Sequence, residues 1–312
     1  MPVARRSRTG SWLLGAAAVM FAFPILVMLL TSLKSSAQID HDALFALPYP
    51  PDFSAWRKAW STACIGQTCS GISTAFMNSL VIVVPSLIIS MTIGAVAGFS
   101  LSIRKSGVTD FAAAALLFCL FVPAQVTLLP MIVVLRELGL FGTLSGLICA
   151  HAFWGLPFLA LLFRNAFLSI PRNVIDAARI DGLRLGAIFW QIMLPQSLPV
   201  WVAGLALQFT FIWNDYILGL TLAGRGHEPV TVALSILANP TFGQQEYNVD
   251  LAAALLASIP PLLVYAVCAC SSVLRTSSRQ LEGSRESTTY SSNGAAEELR
   301  SGECYQRPQP ER

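Results

Sequence analysis

The sequence predicts an all-α fold, a polytopic membrane protein with six transmembrane helices. Two observations carry this expectation. Only 12% of the 312 residues are charged and 54% are hydrophobic, whereas soluble domains carry about 25% charged residues. The apolar residues also gather in runs of about 18 or more, long enough to cross about 30 Å of hydrocarbon. Helices follow because backbone groups in lipid must be hydrogen-bonded within their own segment. The net charge of +3 gives no reason to invoke nucleic acid.

The first span is read at 11–33, after a short segment, 1–10, bearing Arg5, Arg6 and Arg8. Such a segment also opens secretory signals. The stretch from Trp12 to Leu33 exceeds the ~7–15 residues of a signal h-region, however, and Lys34-Ser35-Ser36-Ala37 is at best a weak cleavage site, so the span is expected to remain. Residues 34–73 form the longest polar loop, with Pro48, Pro50, Pro51, Trp56 and Trp60. Cys64 and Cys69 lie in it. They either form a local disulfide in an oxidising compartment or stay unbonded, since spacing alone does not fix geometry.

The second span is read at 74–100 and the third at 110–135. Pro123 and Pro130 interrupt the third, and Arg136-Glu137 closes it. The fourth runs over 142–164, the fifth over 198–221 and the sixth over 251–274, so the membrane domain covers 11–276. Cys119, Cys149, Cys268 and Cys270 fall in spans and read as small apolar packers. No spacing resembles a zinc site. Residues 277–312 are polar and aperiodic, a composition expected to stay disordered and to be dispensable.

Arginine and lysine set the orientation. With the N-terminus inside, the cytoplasmic segments carry Arg5, Arg6, Arg8, Arg104, Lys105, Arg164, Arg172, Arg179, Arg184, Arg275 and Arg279. The other side carries Lys34, Arg57, Lys58, Arg136 and Arg225. The imbalance favours both termini in the cytoplasm and the 34–73 loop outside.

The polar segment 165–196 then faces the cytoplasm. Pro171 suits the first turn of a helix with Ser169 as its cap. Val174, Ala177, Ala178 and Asp181 recur at helical spacing, and Gly182 suits a left-handed stop. Leu183 to Met193 predicts a second short helix, and Pro195 marks entry to the fifth span. A helix–Gly–helix elbow with an Ala177-Ala178 face makes a compact plug for a groove in a soluble partner. An amphipathic hairpin lying on lipid headgroups is the plainer alternative.

Polar residues within or beside spans are costly and often functional. Gln125 beside Pro123, His151 near Trp154, and Asn214-Asp215 near the outer end of the fifth span are the candidates for a solute path. Holding helices together is their other reading.

The order Asp176-Ala177-Ala178-x3-Gly182-x9-Ile192-x-Leu194-Pro195 resembles the cytoplasmic "EAA" coupling loop of permease subunits of binding-protein-dependent ABC importers. Asp176 stands where that family usually has Glu. Leu30-Thr31-Ser32-Leu33-Lys34, Asn78-Ser79-Leu80, Val122-Pro123-x-Gln125 with Pro130, Trp213-Asn214-Asp215 and Ala252-Ala253-Ala254 look like carbohydrate importer permeases of the maltose-permease type. The resemblance runs over about residues 10–267. Within it, Ala59-Trp60-Ser61-Thr62-Ala63-Cys64 and Glu246-Tyr247-Asn248-Val249-Asp250 are similar to glucose/mannose importer permeases. Such permeases usually close with an aromatic-Val-x-Gly-Leu-x-x-Gly-Ala-type segment. From Cys268 this chain departs from it, which a frame change or divergence would each explain.

The resemblance implies a type I importer permease in a bacterial inner membrane. Asp176, Ala177, Ala178, Arg179, Asp181, Gly182, Ile192, Leu194 and Pro195 would meet a cytosolic ATPase. Partners would be a second permease, two ATPase subunits that use ATP and Mg, an external sugar-binding protein, membrane lipid and the sugar. The chain has no G-x-x-x-x-G-K-[ST] loop, so it is expected to bind no nucleotide, metal or other cofactor and to do no covalent chemistry. A polyol or glycerol phosphate permease is a second reading. A phosphorylated solute asks for Arg or Lys in the path, and the spans hold almost none. A stand-alone secondary transporter would need chains of buried carboxylates and paired repeat halves. Asp215 is the one carboxylate read inside a span. A structural anchor would leave the 165–196 segment unexplained.

Overall fold

The computed structural model describes residues 8–41, 43, 45–104, 106–240 and 244–270, with side chains from Trp12 onward. The expected tail at 277–312 lies outside them. The chain divides into two compact units, Met1–Leu262 and Leu263–Arg312. In the second, the described residues 263–270 are helical.

Among the described residues four helices are long and apolar enough to span a membrane, and two sharply bent pairs bring the number to six if each pair is one span. Helix α1, Arg8–Ser32, is apolar on every side. Its 18-residue apolar window buries nothing against the rest of the chain, as suits a lipid-facing helix. Among the described residues, Phe23 meets the Phe45 ring at 5.7 Å, and the end of the helix is tied down more firmly. Thr31, Ser32 and Lys34 are buried, and the Asn248 amide donates to the Lys34 carbonyl at 3.1 Å.

The 34–73 loop is built. Short helix α2 spans Ser36–His41, and Tyr49–Pro50 is a cis peptide. Asp52 accepts from the Ser54 amide and hydroxyl, both at 2.8 Å, at the start of α3, which holds its carboxylate below the usual range. Helix α3, Ser54–Ser61, buries Ala55 and Ala59. These pack with Ala63, Ile72, Leu237, Val249, Ala252 and Ala253. Cys64 and Cys69 are disulfide-bonded, and Lys58 pairs with Glu246.

Helix α4, Ser73–Ile103, is the longest element, and it packs along α7, Leu144–Leu168. Gly94 and Gly98 make this possible. A Cβ at Gly94 would run into the Leu159 Cβ, and one at Gly98 into the Ala160 carbonyl and the Arg164 amide. This is the small-xxx-small device by which membrane helices gain backbone proximity where lipid supplies no hydrophobic drive between them.

The third span differs from expectation. Helices α5, Gly107–Cys119, and α6, Ala124–Glu137, meet at 104°. Of the two prolines, Pro123 makes the break: it is extended, at ψ 142°, and forms the N-cap of α6. Proline also biases the residue before it away from helix. Pro130 remains inside α6.

After α7 come α8, Arg172–Ile180, and α9, Leu185–Ile188. A π-helical turn, Phe189–Met193, and α10, Leu194–Gln196, follow. Helix α11, Leu198–Trp213, continues from the 185–196 segment at 77°. The fifth span also ends sooner than expected. Asn214 closes α11, and α12, Ile217–Leu222, is separate. Helix α13, Val230–Ala238, leads to α14, Tyr247–Cys270. The loop before α13 hangs on α4: Asn78 donates to the Gly226 carbonyl at 2.9 Å and Ser79 accepts from the Val230 amide at 2.8 Å.

Candidate functional site

The 165–196 segment is held by burial on one side only. At the end of α7 the Ser169 hydroxyl turns back to the Ala166 carbonyl at 2.7 Å, so it does not cap α8 as expected. Pro171 takes the N-cap position with an extended backbone. Helix α8 buries Ile175 and Ala178. Asp176, Ala177, Arg179 and Ile180 stay exposed. The two alanines therefore do not form one plug face. Neighbours on a helix point about 100° apart, and Ala178 is spent on the chain's own core.

Gly182 ends α8 with φ +81°. Its amide reaches the Arg179 carbonyl and the Leu183 amide the Ala178 carbonyl, each at 3.0 Å. A Cβ there would meet nothing within 4 Å, so glycine serves the left-handed turn and not a close approach. Arg179 lies 3.7 Å from Asp176 one turn earlier. Both side chains are solvated, so the pair adds little stability. Asp181 is exposed at the C-cap.

The inner side of the segment is aromatic. Phe189 lies 5.1 Å from Phe99 of α4 and 6.1 Å from Phe167 of α7, ring centre to centre. Phe163 lies 4.7 Å from Trp201 of α11. Ile170, Ile175, Ala178, Ile188 and Met193 complete this core, and Leu183, Ile192 and Leu194 pack on it. The π turn adds a residue to the helical repeat and falls where Phe189 and Met193 are both buried. Pro195 is exposed in the first turn of α10.

The outer side presents apolar groups that the sequence reading passed over. Ile180 is 86% exposed and Trp190 65%. Large apolar side chains left exposed in this way suit contact with a partner or with lipid.

The four candidate path residues separate. Gln125 is exposed in the first turn of α6, and Asn214 is exposed at the end of α11. His151 is buried within α7, with Nε2 3.9 Å from Asp215 Oδ2. Asp215 builds the chain turn. Its Oδ2 accepts from the Gly219 amide at 3.0 Å, and its carbonyl accepts from the Thr231 hydroxyl at 2.5 Å. Gln208 of α11, not singled out from the sequence, is buried against α7 at Gly155, where a Cβ would fall on its amide. Among the described residues, His151 Nδ1 and Gln208 Nε2 have no hydrogen-bond partner. Together they form a buried polar seam along α7.

Among the described residues no three His, Cys, Asp or Glu side chains converge on a metal position.

Comparisons with known proteins agree with this architecture. Residues 90–277 match the family model described as binding-protein-dependent transport system inner membrane component. That match extends past Cys268, from which the chain departs from the usual closing segment. A probable ABC transporter permease of Pyrococcus horikoshii is 32% identical over 197 residues, which is 63% of this chain and 71% of that protein. The diacetylchitobiose uptake system permease NgcG of Streptomyces coelicolor is 30% identical over 250 residues, 80% of each chain. The glucose import system permease GlcU of Saccharolobus solfataricus is 27% identical over 259 residues, 81% of this chain and 87% of that one. Among solved structures, a chain of a bacterial ABC transporter that imports the acidic polysaccharide alginate superposes with a TM-score of 0.72 at 23% identity, covering 86% of this chain and 98% of that one.

Proposed function

From the premise that this chain belongs to the family of binding-protein-dependent transport system inner membrane components, we propose that it is the transmembrane permease subunit of an ATP-driven sugar importer. As a transport component it is not itself an enzyme. In this reading it couples closure of cytosolic ATPases to alternating access for a sugar brought by an external binding protein. The relatives include permeases named for diacetylchitobiose, glucose, α-glucoside and xylose/arabinose. A glucose- or mannose-like monosaccharide is the solute we propose, on the similarity of residues 59–64 and 246–250 to permeases for those sugars. A second permease completes the path, to which Gln125, His151, Asn214 and Asp215 contribute. ATP and Mg act on the ATPase subunits.

One observation carries the coupling role. Helix α8 is exposed at Asp176, Ala177, Arg179 and Ile180, and its inner side belongs to the aromatic core that touches α4, α7 and α11. A force applied to the exposed side reaches three long helices through close-packed side chains, which transmit strain because they compress little. Gly182, Ile192, Leu194 and Pro195 shape the elbow that keeps this side presented. The orientation that brings it to a cytosolic ATPase, with both termini inside, rests on the Arg/Lys imbalance.

The test is uptake of labelled glucose, mannose, xylose and maltose by cells expressing the whole importer in place of their own. Saturable uptake of a monosaccharide, lost when the ATPase is inactivated, is the expected result. Uptake of none of the four, by a fully assembled complex, would remove the sugar assignment.

A further inference from the structure

Between α5 and α7 lies a crevice of about 580 Å³, within the ~300–1,000 Å³ typical of small-molecule sites. Ala113 and Leu117 of α5, Leu120 just after it, and Phe158, Leu161 and Leu162 of α7 line it. Two charges stand among these apolar walls, Asp110 in the first turn of α5 and Arg164 in the last turns of α7. We propose that this crevice binds a membrane phospholipid whose headgroup carries a phosphate and a primary ammonium but no carboxylate to oppose Asp110, that is, a phosphatidylethanolamine.

The polarity of the crevice fits an amphiphile. Asp110 and Arg164 lie near the ends of their helices, where a span meets the headgroups, and the apolar lining runs from there toward the helix middles. An acyl chain suits that lining, and a headgroup suits the charges.

The charges are also incompletely satisfied by one another. Arg164 and Asp110 are 3.4 Å apart, longer than the ~2.7–2.9 Å of a charge-assisted hydrogen bond. The Asp110 side chain is 69% exposed and that of Arg164 21%. Arg164 Nε is buried and has no partner among the described residues. The Nη2 end of the guanidinium, which meets Asp110 Oδ1 at the crevice, is the part that a phosphate oxygen can reach. The neighbouring carboxylate then selects the rest of the headgroup. A primary ammonium offers it three N–H donors and opposite charge. A glycerol headgroup offers no cation, and a choline headgroup offers a cation without N–H donors. The ion pair opens to admit phosphate on one side and ammonium on the other, and both charges remain matched.

The test uses the assembled complex, purified in mild detergent through a tag on this chain from membranes containing ethanolamine and glycerol phospholipids. Retained lipid is measured by class. The expected result is enrichment of the ethanolamine lipid over the glycerol lipid. Asp110→Asn should abolish that enrichment while phospholipid is still retained. Arg164→Gln should lower retention of both classes about tenfold, the loss of roughly one hydrogen bond to a charged group. A photoreactive amino acid at Leu117 should give adducts of phospholipid mass. If Arg164→Gln fails to insert, Asp110→Asn and the Leu117 probe decide. Equal retention of the two lipid classes by the native complex would overturn the proposal. So would unchanged enrichment in Asp110→Asn, or protein-sized adducts at Leu117, which would mean that a partner subunit fills the crevice.

Discussion

The ring of Phe189 lies 5.1 Å from that of Phe99, tilted by 54°. One ring belongs to the segment that turns back toward the fifth span and the other to the longest helix of the chain. Through this pair the exposed elbow and the membrane core share packing. Replacing Phe189 by Ala removes a buried aromatic, a change that typically costs ~3–5 kcal/mol. We expect Phe189→Ala to lower the melting temperature of the complex and to leave ATP hydrolysis poorly coupled to uptake. Phe189→Leu should keep most of both. Coupled uptake at the native level in Phe189→Ala would show that the ring carries no force.

Gly182 separates backbone conformation from contact. With φ +81° and open space around a Cβ, Gly182→Ala should cost about 1–2 kcal/mol of local strain and reduce uptake partly. Gly182→Trp adds bulk to the presented surface. It should insert normally yet lose both uptake and ATPase retention in a pull-down. Native uptake by correctly inserted Gly182→Trp protein would end the coupling assignment.

Helix proximity at Gly98 gives a sharper prediction. A Cβ there falls on the backbone of α7, which cannot move aside as a flexible side chain would. Gly98→Ala should therefore destabilise the α4–α7 pair by about 1–3 kcal/mol, the usual range for overpacking, and Gly98→Leu should prevent assembly. Gly186, where a Cβ meets nothing within 4 Å, is the control. Thermal unfolding of the purified complex distinguishes the two sites. Equal melting temperatures for Gly98→Leu and Gly186→Leu would contradict the close packing.

Orientation is checked by reporter fusions. A reporter at Asp52 should read outside, and reporters at Lys105 and Arg172 should read inside. An outside reading at Arg172 would place α8 away from any cytosolic partner and refute the coupling role along with the topology.

The six spans read from apolar length, which bilayer thickness sets, match the structure where each bent helix pair counts as one span. Their shapes were not legible. Pro123 and Pro130 look alike in sequence, and only the first stands at a helix boundary. The Ala177-Ala178 pair reads as one small face until the helix is built and turns Ala178 inward. Gly94-x-x-x-Gly98 was present in the second span but is hard to weigh in a run where nearly every residue is apolar. His151 and Asp215 were singled out on cost alone, since a charge or imidazole among lipids needs a reason. That they meet across 3.9 Å could not be read, because 64 positions separate them and no periodicity links α7 to the turn after α11. Gln208 escaped notice because a neutral amide raises less alarm than a charge.

Helix α1 buries none of its apolar window against its own chain; among the described residues it is held by the Phe23–Phe45 ring contact and by the buried turn from Thr31 to Lys34. The information it carries is therefore unevenly distributed. Over Trp12 to Leu29, Phe23 with its Phe45 contact apart, the sequence needs only to be oily and helical, and many spellings serve equally well. In the final turn each letter is constrained by a specific neighbour. Random mutagenesis of this helix should find two regimes that meet within one turn: a permissive tract, then a short intolerant stretch that sets where the tract begins and ends.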